Sequence, residues 1–219
     1  MLRGAVMAAL TLIVVASMSG CEIPGYVANV IVGPKKIPAV YEPVNRPIVV
    51  FVDDPADRLP SRELGNLLAG RIGEDLVAQG VIEQVIPPIM VERLKAANTD
   101  FAKWPVDKVG QQVGAQQVLY VLVQDCQITE DNLIYRPTIA VRVKMIDVET
   151  GARMFPAAAS TLAADGQPVV HSTVYRDMAG ATASTKAVLM RDLMESAAVT
   201  ISKLFYKHPA PDAGDNLPG

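Results

Sequence analysis

The chain has 219 residues with 23 acidic and 20 basic side chains, a net charge of −3 and an isoelectric point near 5.4. That balance, with no basic cluster beyond Lys35-Lys36, argues against a nucleic-acid partner, which asks for a basic face. Half of the residues are hydrophobic, enough at this length for one domain with a sizeable core.

Taken in chain order, Arg3 and the amino terminus give a positive start, and Ala5 to Met18 form a mostly apolar run. About 14 such residues match the hydrophobic region of a signal peptide. A transmembrane helix needs roughly 20, so the run is short for a permanent span. It ends on Met18-Ser19-Gly20-Cys21. Two small residues before a cysteine resemble the lipobox of bacterial lipoproteins, with Met in the first position where Leu is commoner. The bland alternative is a secretory signal with an incidental cysteine.

The resemblance implies a diacylglycerol on the Cys21 sulfur, cleavage before Cys21 and acylation of the new amino group, with residues 1–20 as signal peptide. It therefore implies lipidation at Cys21 and a membrane partner held through acyl chains. One chain binds reversibly, with a constant on the order of 10⁴ M⁻¹, whereas two or three hold stably. The expected place is the cell envelope, facing the periplasm. Glu22 stands where Asp would signal retention at the inner membrane, so the outer membrane is expected. With lipid on Cys21, Cys126 has no disulfide partner; it is either a reactive thiol or a buried side chain beside a strand.

Residues 21–46 carry scattered Pro and Gly and are expected to be a tether, although Tyr26, Val27, Val30, Ile31 and Val32 could pack down. A single α/β domain is expected over 47–207, and a disordered tail over 208–219, which lacks apolar content. Ile48 to Val52 reads as a strand covered on both faces. Ser61 is a good N-cap, and Leu64, Leu68, Ile72 and Leu76 recur every four residues in a helix that Gly80 stops. Val81 to Ile86 reads as a short strand. Pro87-Pro88 opens a helix to about Ala97, and Pro105 another to about Val113.

Gln117 to Val123 is again a two-sided strand. Thr138 to Val148 alternates apolar with polar residues and turns through Glu149-Thr150-Gly151 into Ala152 to Phe155. A strand at 169–175 and a long helix from about Ala181 to Tyr206 complete the order. The two-sided strands should lie centrally and the alternating hairpin towards an edge. The fold class expected is α/β: a mixed-sheet sandwich with helices packed on the sheet and a long C-terminal helix.

Val113-Gly114-Ala115-Gln116-Gln117-Val118-Leu119-Tyr120-Val121 and Val141 to Gly151, with its Asp147-x-x-Thr150-Gly151 turn, carry a family resemblance. They resemble the curli-channel lipoproteins and their relatives, the amino-terminal domain of the Tol–Pal translocation protein and the lipoprotein activators of peptidoglycan synthases. The order of elements from about 47 to 206 is also similar. The resemblance implies an envelope domain used for protein contacts, with no catalytic residues to carry over. The curli channel's membrane-inserting hairpins have no match here, since 126–137 is short and polar and 156–175 lacks alternation.

The polar motifs lack the partners that reaction chemistry needs. Asp53-Asp54 resembles the acidic pair of a phosphate-receiver domain, but Asp125 is too distant for its acceptor and no matched Lys follows a strand; Asp-Asp-Pro is also an ordinary turn. His171 and His208 are the only histidines, with no zinc-ligand spacing around them. His171-Ser172 lacks a Gly-x-Ser-x-Gly setting, and Ser184 and Lys186 form no Ser-x-x-Lys motif. Gly65, Gly70 and Gly73 fall inside a helix and form no phosphate loop, so close helix packing is expected of them. Trp104 and Tyr26 are possible contact aromatics.

No catalytic, cofactor or metal residue is assigned. The function expected is a lipid-anchored, non-catalytic binding or assembly module that contacts another envelope protein. A tethered hydrolase is the alternative if Asp53, Asp54, Asp125 and His171 converge, and a secretion or pore subunit is the third reading.

Overall fold

The computed structural model describes residues 35–131, 134–157, 165–176 and 182–210. Cys21, the signal segment, most of the expected tether, Tyr26 and residues 211–219 lie outside them. In chain order the elements are β1 (Lys36–Ile37), β2 (Ile48–Asp53), α1 (Arg62–Ala78), β3 (Val85–Ile86), α2 (Ile89–Ala97), a 3-10 turn (Phe101–Lys103), α3 (Val106–Val113), β4 (Gln117–Asp131), β5 (Ile134–Asp147), β6 (Arg153–Phe155), β7 (Gln167–Ser172), α4 (Ala183–Ser202) and β8 (His208–Pro209).

The chain divides into two compact units, one made of residues up to Ile37 with those from His208 onward, the other of Pro38–Lys207. In the first unit, β1 pairs antiparallel with β8. The second is an α/β domain whose sheet runs β3-β2-β4-β5-β6, with β7 also on β5. β3, β2 and β4 are parallel, and β5 is antiparallel to β4, β6 and β7. The sheet is therefore mixed, with helices packed on it and the 20-residue α4 near its C-terminal end.

One face of the sheet is covered by α1 and α4. Ile48 and Val50 of β2, Leu119 and Val121 of β4, and Val143 and Met145 of β5 meet Leu68, Ile72, Leu193 and Ala197 there. Among the described residues the opposite face is covered only at its parallel end, where Val49, Phe51 and Val118 pack with Val91 of α2 and Val109 of α3. This is why β2 is apolar from Ile48 to Val52 while β5 alternates: the described helices reach only one end of the second face. Tyr41 stacks on Phe155 with ring centroids 5.5 Å apart, and Val40 and Tyr41 both donate N–H to Leu204 O. Among the described residues no helix is long and apolar enough to cross a membrane.

Several boundaries differ from expectation. β4 runs to Asp131 rather than stopping near Val123, and β5 begins at Ile134, so 126–131 and 134–137 lie in paired strands. A bulge between Val123 and Asp125 changes the parity, so that Cys126 and Ile128 face the α1/α4 core after Val121 and Val123 have done so. The alternating strand β5 is internal, with β6 and β7 sharing its outer side. β3 keeps only two residues because Val81 and Ile82 donate back to Leu76 O and finish the turn after α1. Of the helical glycines, a Cβ at Gly73 would lie 2.8 Å from Val85 Cγ1 and one at Gly65 3.3 Å from Leu59 Cδ1, but Gly70 has nothing within 4 Å. Close packing explains the first two and not the third.

Candidate functional site

The carboxyl end of β2 is where the chain leaves for α1 on one face while α2 lies on the other. In open α/β sheets that reversal is the place where crevices form. A cavity of about 380 Å³ opens there, between Gly65, Asn66 and Ala69 of α1 and Val91, Lys95 and Ala96 of α2. Val50, Phe51 and Val52 form its floor, and Asp54, Asp57, Arg62 and Glu92 stand around it.

The charges around the cavity are largely committed to local structure. Asp54 accepts the N–H groups of Arg58 at 2.9 Å and Leu59 at 2.7 Å, which fixes the turn into α1. Lys95 lies 3.5 Å from Glu92 and over the rings of Phe51 and Phe101. Asp53, next to Asp54, is turned to the other side of the strand and accepts the Tyr120 hydroxyl at 2.7 Å. Burial, aided by Asp53, holds the Tyr120 phenol well above its usual range. The adjacent acidic pair therefore serves two different structural bonds.

The four residues that a hydrolase would bring together are not gathered in this cavity. Of Asp53, Asp54, Asp125 and His171, only Asp54 lines it. Asp125 follows the β4 bulge and, with Asp54, adds to the burial that pushes the Cys126 thiol up to about 11. A thiol so shifted is protonated at neutral pH and is a poor nucleophile. His171, on β7, lies against α4, with Ser196 Oγ at 2.9 Å from Nε2 and Thr200 Oγ1 at 3.0 Å from Nδ1. Burial, helped by Lys203, lowers its pKa. Among the described residues no three His, Cys, Asp or Glu side chains form a metal-holding group.

A second, wider groove of about 980 Å³ runs between the N-terminal halves of α1 and α4, with Leu64, Leu67, Ile128 and Met190 in its walls. Cys126 lines it, half-buried and free of a disulfide. Trp104 sits under the Lys108 ammonium, 3.9 Å from its ring centroid, and beside Phe101, so it belongs to packing around the 3-10 turn. The Asp147-x-x-Thr150-Gly151 turn is held by Asp147, which accepts from Thr150 N–H at 2.9 Å and its hydroxyl at 2.8 Å. Those bonds, with Arg46 3.5 Å away, hold the Asp147 carboxyl below its usual range. Gly151 has φ +67, the left-handed conformation the turn needs.

The sequence did not point to the crevice as a site, because its walls come from separate segments of β2, α1 and α2 spread from Val50 to Ala96. The visible signal was Pro87-Pro88, which opens α2.

The fold defines the protein as a mixed α/β sandwich, and several solved structures similar to it are bacterial lipoproteins. Lipoprotein GNA1162 from Neisseria meningitidis is 14% identical, covers 71% of this chain and 94% of its own, and gives a TM-score of 0.38. The PelC dodecamer from Paraburkholderia phytofirmans is 15% identical over 78% of this chain and 96% of its own, at 0.39. Protein XCC0632 from Xanthomonas campestris is 8% identical over 76% and 86%, at 0.45. Likenesses this distant say nothing of what this chain binds. No protein-family model and no curated protein matches it.

Proposed function

We propose that the protein is a lipid-anchored component of the cell envelope, held by acyl chains on Cys21, whose α/β domain is a non-catalytic module for contact with another envelope protein. The observation that carries the reading is the short apolar run ending in Met18-Ser19-Gly20-Cys21 behind a positive start. Two or three acyl chains on one residue give a stable attachment without a spanning helix. The Glu22 position favours the outer membrane, with the domain on the periplasmic side.

The non-catalytic part is supported by the use to which the polar residues are put. Asp54 fixes a turn, Asp53 holds Tyr120, and His171 joins β7 to α4. The Gly114-Ala115 step into β4 and the Asp147-x-x-Thr150-Gly151 hairpin support a likeness to the curli-channel and Tol–Pal translocation group.

Cells fed a labelled fatty acid test the anchor. Wild type should carry label and sediment with membranes, and Cys21→Ser should lose both; label retained by Cys21→Ser would overturn the reading. In the same cells Asp53→Asn and His171→Gln should preserve whatever phenotype Cys21→Ser abolishes.

A further inference from the structure

The parallel edge of the sheet stops early for a chemical reason. Ile48 donates its N–H to Gln84 O at 3.0 Å, and Val49 is in register with Ile86. In a parallel ladder that register joins Ile86 N–H to Ile48 C=O and Val50 N–H to Ile86 C=O. The next donor from the β3 side belongs to residue 88, which is Pro88 and has no N–H. The chain then turns into α2. β2 continues for four residues past Val49, bonded to β4 on its other side as far as Asp53.

Alternate residues of a parallel strand turn their backbone groups to the same neighbour. Val50 C=O, Val52 N–H and Val52 C=O therefore face the side that β3 has vacated. That side is the cavity described above, which both residues line. Val50 is only 1% exposed, and a buried carbonyl calls for a hydrogen-bond donor. The open edge thus presents acceptor, donor and acceptor at strand spacing, inside a slot between two helices.

The walls fit the same guest. Ala69 on α1 and Val91 and Ala96 on α2 give small and apolar surfaces on the two sides of the edge, and Leu59 packs against Gly65. A strand lying there would have one helix against each of its faces, the condition that makes β2 itself apolar from Ile48 to Val52. At the rim, Asn66 makes no side-chain hydrogen bond among the described residues, so its amide is available to a guest backbone.

We propose that this crevice binds an extended segment of a partner polypeptide, which adds a strand to β2 beyond the end of β3. Main-chain bonds to Val50 and Val52 supply the pairing, and β-branched or small side chains on both guest faces supply the fit. The proposal names the surface used by the binding module of the preceding reading and rests on it. The two fail separately, because purified protein and peptide report on the crevice whether or not Cys21 is acylated.

The test is selection from a phage-displayed library of random linear nonapeptides against the full-length chain, followed by fluorescence anisotropy with the enriched peptides. Binders should be lost from Ala96→Trp and from Asn66→Trp, which fill the slot from opposite helices, in whichever variant keeps the wild-type thermal midpoint. Methylating the guest nitrogen that faces Val50 C=O or Val52 C=O should weaken binding by about tenfold, and methylating the intervening nitrogen by less than about twofold. Failure to enrich any peptide, equal binding to both filled variants, or indifference to N-methylation would each overturn strand addition. Indifference to N-methylation with loss in the filled variants would identify a pocket for side chains or a small molecule instead.

Discussion

In β2, Ile48, Val49, Val50 and Phe51 are buried one after another, whereas in β5 burial returns only at every second residue from Tyr135 to Asp147. Both strands are internal to the same sheet, so being central does not explain the difference. What differs is the second face: α2 and α3 cover it over β2 and the start of β4, and no described helix covers it over the rest of β5. The parallel end is a three-layer structure and the antiparallel end a two-layer one. Strand composition therefore reports how many layers cover a strand, and only secondarily whether it is parallel.

The largest expected effects separate these ends by parity. Ile48→Ala and Phe51→Ala remove side chains from opposite faces of β2, and each should cost about 2–5 kcal/mol in urea unfolding. In β5, Met145→Ala should cost a similar amount, while the adjacent Lys144→Ala should stay within about 0.5 kcal/mol. A large loss at Lys144, or a small one at Phe51, would break the two-layer and three-layer distinction.

Glycines sharpen the comparison at the next scale. A Cβ at Gly110 of α3 would lie 2.5 Å from Val148 Cγ2 and 2.6 Å from Val118 Cγ2. Gly110→Ala should therefore destabilise by about 1–3 kcal/mol by forcing the third layer off the sheet. Gly70→Ala, in α1 with nothing within 4 Å, should stabilise by up to about 1 kcal/mol through helix propensity. Thermal midpoints moving in opposite directions would support the close seat of α3; parallel shifts would refute it.

Below these lies the Tyr120–Asp53 bond, which crosses from β4 to β2 at the parallel end. Tyr120→Phe deletes a 2.7 Å hydrogen bond to a carboxylate while keeping the ring against Phe51. It should cost about 1–2 kcal/mol by denaturant midpoint. No loss would show that Asp53 is equally satisfied by water.

The same contrast explains how far the sequence could be read. Two-sided runs announced β2 and the core of β4, and period-four leucines announced α1, because each pattern is local and strong. The extension of β4 to Asp131 was harder to see: a bulge near Asp125 shifts the alternation, so Cys126 and Ile128 look out of phase with Val121 and Val123 until the partner strand is known. The shortness of β3 depended on Val81 and Ile82 returning to Leu76 O, which no local pattern displays. The crevice was illegible for a related reason. Pro87-Pro88 reads as a helix opening, and its second effect, withholding a donor from Val50, exists only once β3 is paired with β2.

The smallest effect lies at the antiparallel end, where β7 is attached to α4 through His171. Ser196 and Thr200 hydroxyls flank its ring and also reach helix carbonyls, Asp192 O at 2.8 Å and Ser196 O at 3.2 Å. A neutral ring donates to one hydroxyl and accepts from the other, so only one of them can keep its bond to the helix. Burial first, and Lys203 second, lower the histidine's pKa below its ordinary value. The unfolded chain then binds a proton at higher pH than the folded one, and stability present above about pH 6.5 declines as pH falls through the folded value. Because the ring is half-exposed, solvent screening should keep this slope to a few tenths of a kcal/mol. Urea midpoints from pH 8 to pH 5 should fall slightly more in wild type than in His171→Gln. A wild-type midpoint that instead rises on acidification would mean the protonated ring, donating to both hydroxyls, is the better clasp of β7 to α4.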